Sequence, residues 1–178
     1  MFNSNKEKNA NRKVLTSVEI LKTTLIAVII AIIVLCFFRL TVVDGQSMEP
    51  SLYNKEKLLL STTSYTFSDV KRGDIVVVKP KKINVDYIIK RVIAIPGDTV
   101  EIKDNVIYVN DKAIDESYVK EPMVTANIDK FKLANNEYFI CGDNRNNSLD
   151  SRSEILGPIT KDEIFGKVII NFSKFEFY

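Results

Sequence analysis

Ser47 lies in the stretch Val43-Asp44-Gly45-Gln46-Ser47-Met48-Glu49-Pro50-Ser51-Leu52, where Gly and Pro flank a hydroxyl that either attacks a carbonyl or simply closes a turn. The composition sharpens that choice, because the chain contains no histidine. A Ser-His-Asp triad, a Cys-His pair and most zinc sites need imidazole as base or ligand, so none of them is open to this sequence. A serine nucleophile without histidine can use lysine as its base, provided the amine is neutral at working pH. An exposed lysine, with a pKa near ~10.4, is almost wholly protonated, so the fold has to bury the one that serves.

Lys90 meets that demand. It sits in Asp86-Tyr87-Ile88-Ile89-Lys90-Arg91-Val92-Ile93-Ala94-Ile95, a run apolar enough to form a core strand, and desolvation there lowers the pKa of an amine. Lys79, Lys81 and Lys82 stand in polar surroundings and read as solvated. Taken singly, Lys90 also fits a charge at the end of a strand and Ser47 also fits a turn serine. Together, in a chain without histidine, they point to a nucleophile and its base. A third cluster, Gly142-Asp143-Asn144-Arg145-Asn146-Asn147-Ser148-Leu149-Asp150-Ser151-Arg152, is open to two readings. One is a polar loop of turn formers. The other is a loop whose arginines and aspartates tie strands together by charge-assisted hydrogen bonds while a serine hydroxyl orients a lysine amine.

The elements that must carry these residues are of two kinds. Residues 1–22 are polar and basic, and Thr23–Phe38 is an uninterrupted apolar run ended by Arg39. The run is slightly shorter than the ~20 residues that cross hydrocarbon, but Lys22 and Arg39 can snorkel and Leu40 to Val43 prolong its apolar character. It is also longer than the apolar core of a cleavable leader, typically ~7–15 residues, so it reads as a retained anchor. Lys6, Lys8, Arg12, Lys13 and Lys22 outnumber Glu7 and Glu19 ahead of it, which keeps the N-terminus cytoplasmic and places everything after Val43 outside. Ser47 then lies within about nine residues of the span, at most ~32 Å even fully extended.

That exterior segment reads as β throughout. KLLLSTT, DIVVVKP, DYIIKRVIAI, TVEIKDNVIYVN, EYFICGD and GKVIINF are short β-branched or aromatic runs separated by turn formers. Asp104-Asn105 and Asn110-Asp111 mark a ribbon from about residue 100 to 120, and the stretch from about Asp115 to Asn136 reads as loop. The formal charge is only +2, with Lys and Arg spread along the chain, so the sequence offers no basic face for nucleic acid. Cys36 and Cys141 fall on opposite sides of the membrane boundary, so the fold rests on packing rather than on a disulfide.

The boxes SMEPSL, IIKRVIAIPGDTV, GDNRNNSLDSR and GPI at 157–159, following one apolar segment, resemble bacterial type I signal peptidase (leader peptidase), in its Gram-positive branch. The match runs from the apolar segment to about Gly166 in family order. The Ser box is weakly specific and the GDNR-x-NS-x-DSR box highly so. The resemblance implies a mainly β fold: a single N-terminal transmembrane helix followed by an antiparallel β catalytic domain with a small ribbon or cap insertion. The corresponding boundaries are a tail at 1–22, an anchor at 23–40 and a catalytic domain at 41–178, with the cap at about 100–137.

By resemblance, Ser47 is the nucleophile, Lys90 the general base and Ser148 the hydroxyl that orients the lysine. Arg91, Asp143, Arg145, Asp150 and Arg152 form a structural polar box in which Asp143 pairs with Arg91. Val43, Met48, Leu52, Ile88 and Ile89 line shallow apolar pockets for small residues one and three before the cut. Many Gram-negative members carry a serine two residues before the nucleophile, where this chain has Gly45. The oxyanion is therefore expected to rest chiefly on the Ser47 N–H, with help near Gly45.

The implied activity is a membrane-anchored endopeptidase at the outer face of the cytoplasmic membrane. It removes signal peptides from exported preproteins through an acyl-enzyme, with no cofactor or metal, and its partners are preproteins and the lipid bilayer. Two alternatives are weighed against it. A tethered β module that binds extended peptides without cutting them does not account for Ser47 and Lys90 together. A self-cleaving repressor would lack the span and carry a DNA-binding segment.

Overall fold

A computed structural model describes the backbone of residues 2–124 and 127–178 and the side chains from residue 16 onward apart from those of residues 67, 125 and 126. The charged side chains at 6, 7, 8, 12 and 13, on which the expected orientation rests, lie outside that description. The chain forms two compact units, residues 1–38 and 39–178.

The first unit is one helix, α1 (Phe2–Phe37). Its Thr16–Phe37 portion has a mean hydropathy of 2.8 over its most apolar stretch and is long and apolar enough to cross a membrane, since 22 helical residues rise about 33 Å. Thr23 and Thr24 donate their hydroxyls to the carbonyls of Glu19 and Ile20 at 2.9 Å, which keeps both polar groups paired within the helix. The helix ends earlier than the sequence implies. Phe38–Val42 is strand β1, so residues 38–40, expected in the anchor, are sheet. Thr41, Val42 and Val43 are β-branched, and strand pairing there wins over continuing the apolar helix.

The second unit is antiparallel β. Its larger sheet contains β1, β2 (Lys57–Ser61), β3 (Ile75–Val78), β4 (Ile88–Ala94), β9 (Glu137–Cys141), β10 (Ile159–Thr160), β11 (Ile164–Asn171) and β12 (Glu176–Phe177). The order is β1-β2-β11-β3-β4-β9-β10, with β12 also paired to β11. β3 is Ile-Val-Val-Val, buried at every position, as a central strand covered on both faces requires. Its alternate residues feed two cores. Ile75 and Val77 pack with Met48, Leu52, Leu58 and Val168, and Val76 and Val78 pack with Val92, Ile140 and Ile159.

The smaller sheet has the order β7-β6-β5-β8, from β5 (Thr99–Lys103), β6 (Val106–Val109), β7 (Lys112–Ala113) and β8 (Ile128–Lys132). Its two expected turns hold: Asp104 and Asn105, then Asn110 and Asp111, all have positive φ between 51° and 65°, the geometry of tight hairpins. β8 is a departure, because it falls in the stretch read as loop. Only Ile128 and Phe131 in IDKFK are partly buried. They are three residues apart because β8 carries a bulge, three residues from Phe131 to Ile128 set against two from Val100 to Ile102 on the partner strand, which erases the two-residue period that marks a strand. A short helix, Ser64–Phe67, was likewise not anticipated. Val100, Ile102 and Ile107 of the smaller sheet share a core with Ala94, Phe139 and Cys141 of the larger one.

Candidate active site

The turn that carries Ser47 is fixed from within by apolar anchors. Met48 and Leu52 are buried against Leu58 and Ile75, while Glu49 N donates to Gln46 O at 3.2 Å and Leu52 N to Met48 O at 2.8 Å. Ser47 is left half-buried at the head of this turn. Two residues earlier Gly45 has φ +109°, and no atom lies within 4 Å of where its Cβ would be. The residue is there for backbone conformation, not for want of space.

Lys90 comes from the middle of β4, opposite Val76 of β3, and is 3% exposed. Its Nζ lies 2.8 Å from Ser47 Oγ and donates to Ile89 O at 2.8 Å. The first contact runs either way: a protonated amine donates to Oγ, and a neutral amine accepts the Ser47 proton. Burial among apolar strands pulls the Lys90 pKa down to about 8, against smaller opposing effects of Asp150, the Cys141 sulfur and Asp143. Desolvation penalises the ammonium, and among the described residues no carboxylate hydrogen-bonds the amine to restore it.

The polar loop after β9 clasps the Ser47 turn. Asn144 N donates to Ser47 O at 3.0 Å, and Asn144 Nδ2 donates to Gln46 O at 3.1 Å. Arg91 meets Asp143 in a two-pronged pair at 2.9 and 2.7 Å. It also donates to Gly73 O and to Ser51 Oγ. Asp150 accepts from Arg152 at 2.8 and 2.7 Å and from Gly142 N at 2.9 Å. Burial pushes the Asp150 carboxyl up, but these hydrogen bonds and the Arg152 charge outweigh it and hold the group below the usual range. Arg145 is paired with Glu116 and donates to Gly142 O. Arg91 and Asp143 thus make one bonded pair, and Arg145, Asp150 and Arg152 a second bonded group joined through Gly142 and the Arg145 carbonyl.

Ser148 is a different case. Its Oγ is buried beside Asp150 and reaches no partner with ordinary hydrogen-bond geometry among the described residues, and Lys90 bonds Ile89 O rather than Ser148. Ser148 does border the pair: a Cβ placed on Gly142 would meet both its Oγ and the Ser47 carbonyl.

A cleft of about 560 Å³ opens at Ser47 and Lys90, with β1 residues Arg39 to Val42 along it. Val43, Met48, Ile88 and Ile89 line it, whereas Leu52 is fully buried in the core that Met48 shares. Tyr87 and Phe165, ring centroids 5.0 Å apart, also line the cleft, and nothing in the sequence singles them out. The same is true of Tyr118, whose ring lies 4.2 Å from the Arg91 guanidinium and 5.9 Å from that of Arg145. Ser51 and Asn144 lie within the SMEPSL and GDNRNNSLDSR boxes, but their hydrogen bonding is not legible in sequence alone. Among the described residues no cluster of His, Cys, Asp and Glu could hold a metal ion. Cys141 is buried, with its thiol pushed far up by burial, which makes it inert as a nucleophile.

Comparison with known proteins finds relatives that match most of the chain. The family model described as "Signal peptidase, peptidase S26" matches residues 17–173. Signal peptidase I S of Bacillus subtilis (strain 168) is 39% identical, over 97% of this chain and 95% of its own length. Signal peptidase I of Bacillus amyloliquefaciens is 37% identical over 98% and 94%. A crystal structure of a signal peptidase I from Enterococcus faecalis V583 aligns with 56% of this chain and 97% of its own at 27% identity, with a TM-score of 0.48.

Proposed function

From the premise that the chain belongs to the signal peptidase S26 family, and is a signal peptidase I serine peptidase, we propose that it cuts signal peptides from preproteins with Ser47 as nucleophile and Lys90 as general base. The observation that carries this reading is the 2.8 Å separation of Ser47 Oγ from an almost fully buried Lys90 Nζ whose pKa is lowered to about 8.

The neutral amine accepts the Ser47 proton as Oγ bonds to the scissile carbonyl carbon. The resulting ammonium gives that proton to the leaving amine as the C–N bond breaks, leaving an ester on Ser47. Lys90 then deprotonates the water that cleaves the ester. The Ser47 N–H, which donates to no acceptor among the described residues, is the proposed oxyanion donor beside Gly45. Ser148 is assigned the steering of the lysine amine, because its hydroxyl is buried at the pair without an ordinary partner. Arg91, Asp143, Arg145, Asp150 and Arg152 hold the two catalytic elements together.

The apolar cleft along β1 suits an extended peptide with small side chains next to the cut. Val43, Met48, Ile88 and Ile89 form its pockets, and Leu52 supports Met48 from behind. We further assign α1 the role of a single-pass anchor in the cytoplasmic membrane, from about residue 16 to 37, with the N-terminus cytoplasmic and residues 39–178 on the outer side as the catalytic domain. Preproteins and the lipid bilayer are then its partners. Incubation of the purified protein with a preprotein, beside Ser47→Ala, tests the activity: wild type releases the mature chain and the variant does not. Processing by Ser47→Ala, with contaminating peptidases excluded, would overturn the assignment.

A further inference from the structure

The Ser47 turn is gripped on one side by Asn144. On its other side, the residues after β11 reach back to it. Lys174 Nζ donates to Ser51 O at 2.8 Å and to Pro50 O at 3.3 Å, and lies 3.5 Å from Glu56 Oε1. Two carbonyls thus accept from the ammonium and a carboxylate faces it as counter-charge, and its charge lies 4.7 Å from the centre of the Tyr53 ring. The Lys174 side chain is 26% exposed. Tyr178 adds a further contact, its Oη lying 3.1 Å from the same Ser51 carbonyl and 2.9 Å from Glu176 Oε2. Ser51 in turn accepts from Arg91, the neighbour of Lys90 on β4, through its hydroxyl at 3.1 Å. One residue four places after the nucleophile therefore joins the nucleophile turn, the strand of the base and the C-terminal hairpin.

We propose that Lys174, assisted by Tyr178, is a positioning residue for catalysis: its ammonium fixes the peptide groups at Pro50 and Ser51 and so holds the Ser47 turn against Lys90. The proposal rests on the assignment of Ser47 as nucleophile. Packing alone does not require a charge here, since Met48 and Leu52 already anchor the turn. The ammonium sets how the exposed half of the turn is oriented. A displacement of order 1 Å between nucleophile and base can cost as much as ~100-fold in rate.

The test is steady-state cleavage of a preprotein by the full-length protein, comparing wild type, Lys174→Met, Lys174→Arg, Tyr178→Phe and Ser47→Ala, with each variant's melting temperature recorded. Lys174→Met is expected to lower kcat about 10-fold or more while KM stays within about 2-fold, the pattern of an interaction that serves the chemical step. Lys174→Arg, which keeps a cation with several donors, should recover most of that loss, and Tyr178→Phe should show a smaller loss in the same direction. A folded Lys174→Met with the kcat of wild type, or with a loss wholly in KM, overturns the proposal. If Lys174→Met does not fold, an unchanged kcat in Tyr178→Phe overturns it instead. Activity in Ser47→Ala would show that the nucleophile assignment itself had failed, and inactivity there confines any failure to the role of Lys174.

Discussion

Gly142 lies so close to Ser47 that a Cβ built on it would stand 2.4 Å from the Ser47 carbonyl oxygen and 2.3 Å from Ser148 Oγ. The first of these is backbone and cannot rotate away. Gly142→Ala must therefore push the nucleophile turn off the 142–152 loop and break the Asn144 N to Ser47 O hydrogen bond. We expect a loss of about 1–3 kcal/mol in stability, in the range of overpacked sites, and a loss of cleavage activity larger than that stability change explains. Adding Ser148→Ala should not rescue it. Chemical denaturation and cleavage assays on both variants check this.

The Arg91–Asp143 pair gives a second expectation. Asp143 is fully buried and Arg91 nearly so, with side-chain exposures of 0% and 11%. Asp143→Ala leaves a buried guanidinium without its counter-charge, a change that costs about 3–5 kcal/mol. Asp143→Asn, which keeps a hydrogen-bond acceptor, should cost less. Unfolding curves of the two variants measure the order directly.

Lys90 makes stability depend on pH in a defined sense. Its folded pKa, about 8, lies below the ordinary lysine value of 10.5. Between those two values the unfolded chain still holds a proton that the folded one has lost, so stability rises with pH across that window. The full increment corresponds to roughly 3 kcal/mol at 1.36 kcal/mol per pKa unit. In Lys90→Met this rise should be missing, and at pH 7 the variant should melt no lower than wild type. Melting temperatures between pH 7 and 10 for both proteins provide the comparison.

The cleft predicts selectivity. Efficient cleavage is expected after Ala-x-Ala and poor cleavage after Leu or Phe. Trimming Ile88 or Ile89 to Ala should widen tolerance, since a methylene-sized change is worth about 1–3 kcal/mol in an apolar pocket. A peptide library varied one and three residues before the cut reads this out, and equal rates for Ala and Phe at the cut would contradict it.

Much of this arrangement was legible in the residues, for identifiable reasons. Runs such as IVVV and IIKRVIA form strands because β-branched side chains suit a buried sheet, and the Asp-Asn and Asn-Asp pairs form the turns whose positive φ they tolerate. The pairing of Ser47 with Lys90 followed from elimination of histidine and from the apolar neighbours of Lys90. What escaped was long-range or masked by local irregularity. β8 was hidden by its bulge, and β1 by the apolar helix it continues in sequence. Leu52, read as pocket, is core because the 48–52 turn directs it inward with Met48. Tyr118 and Lys174 act on groups 27 and more than 120 residues distant in sequence, and no local pattern announces such contacts.

The most direct test of the Ser47–Lys90 assignment is the single-turnover rate of preprotein cleavage as a function of pH, with chemistry rate-limiting. Only the free amine accepts the Ser47 proton. The rate should therefore climb about tenfold per pH unit from pH 6 toward the Lys90 pKa of about 8 and level off above it. A rate constant from pH 6 to 9 would contradict Lys90 as the base.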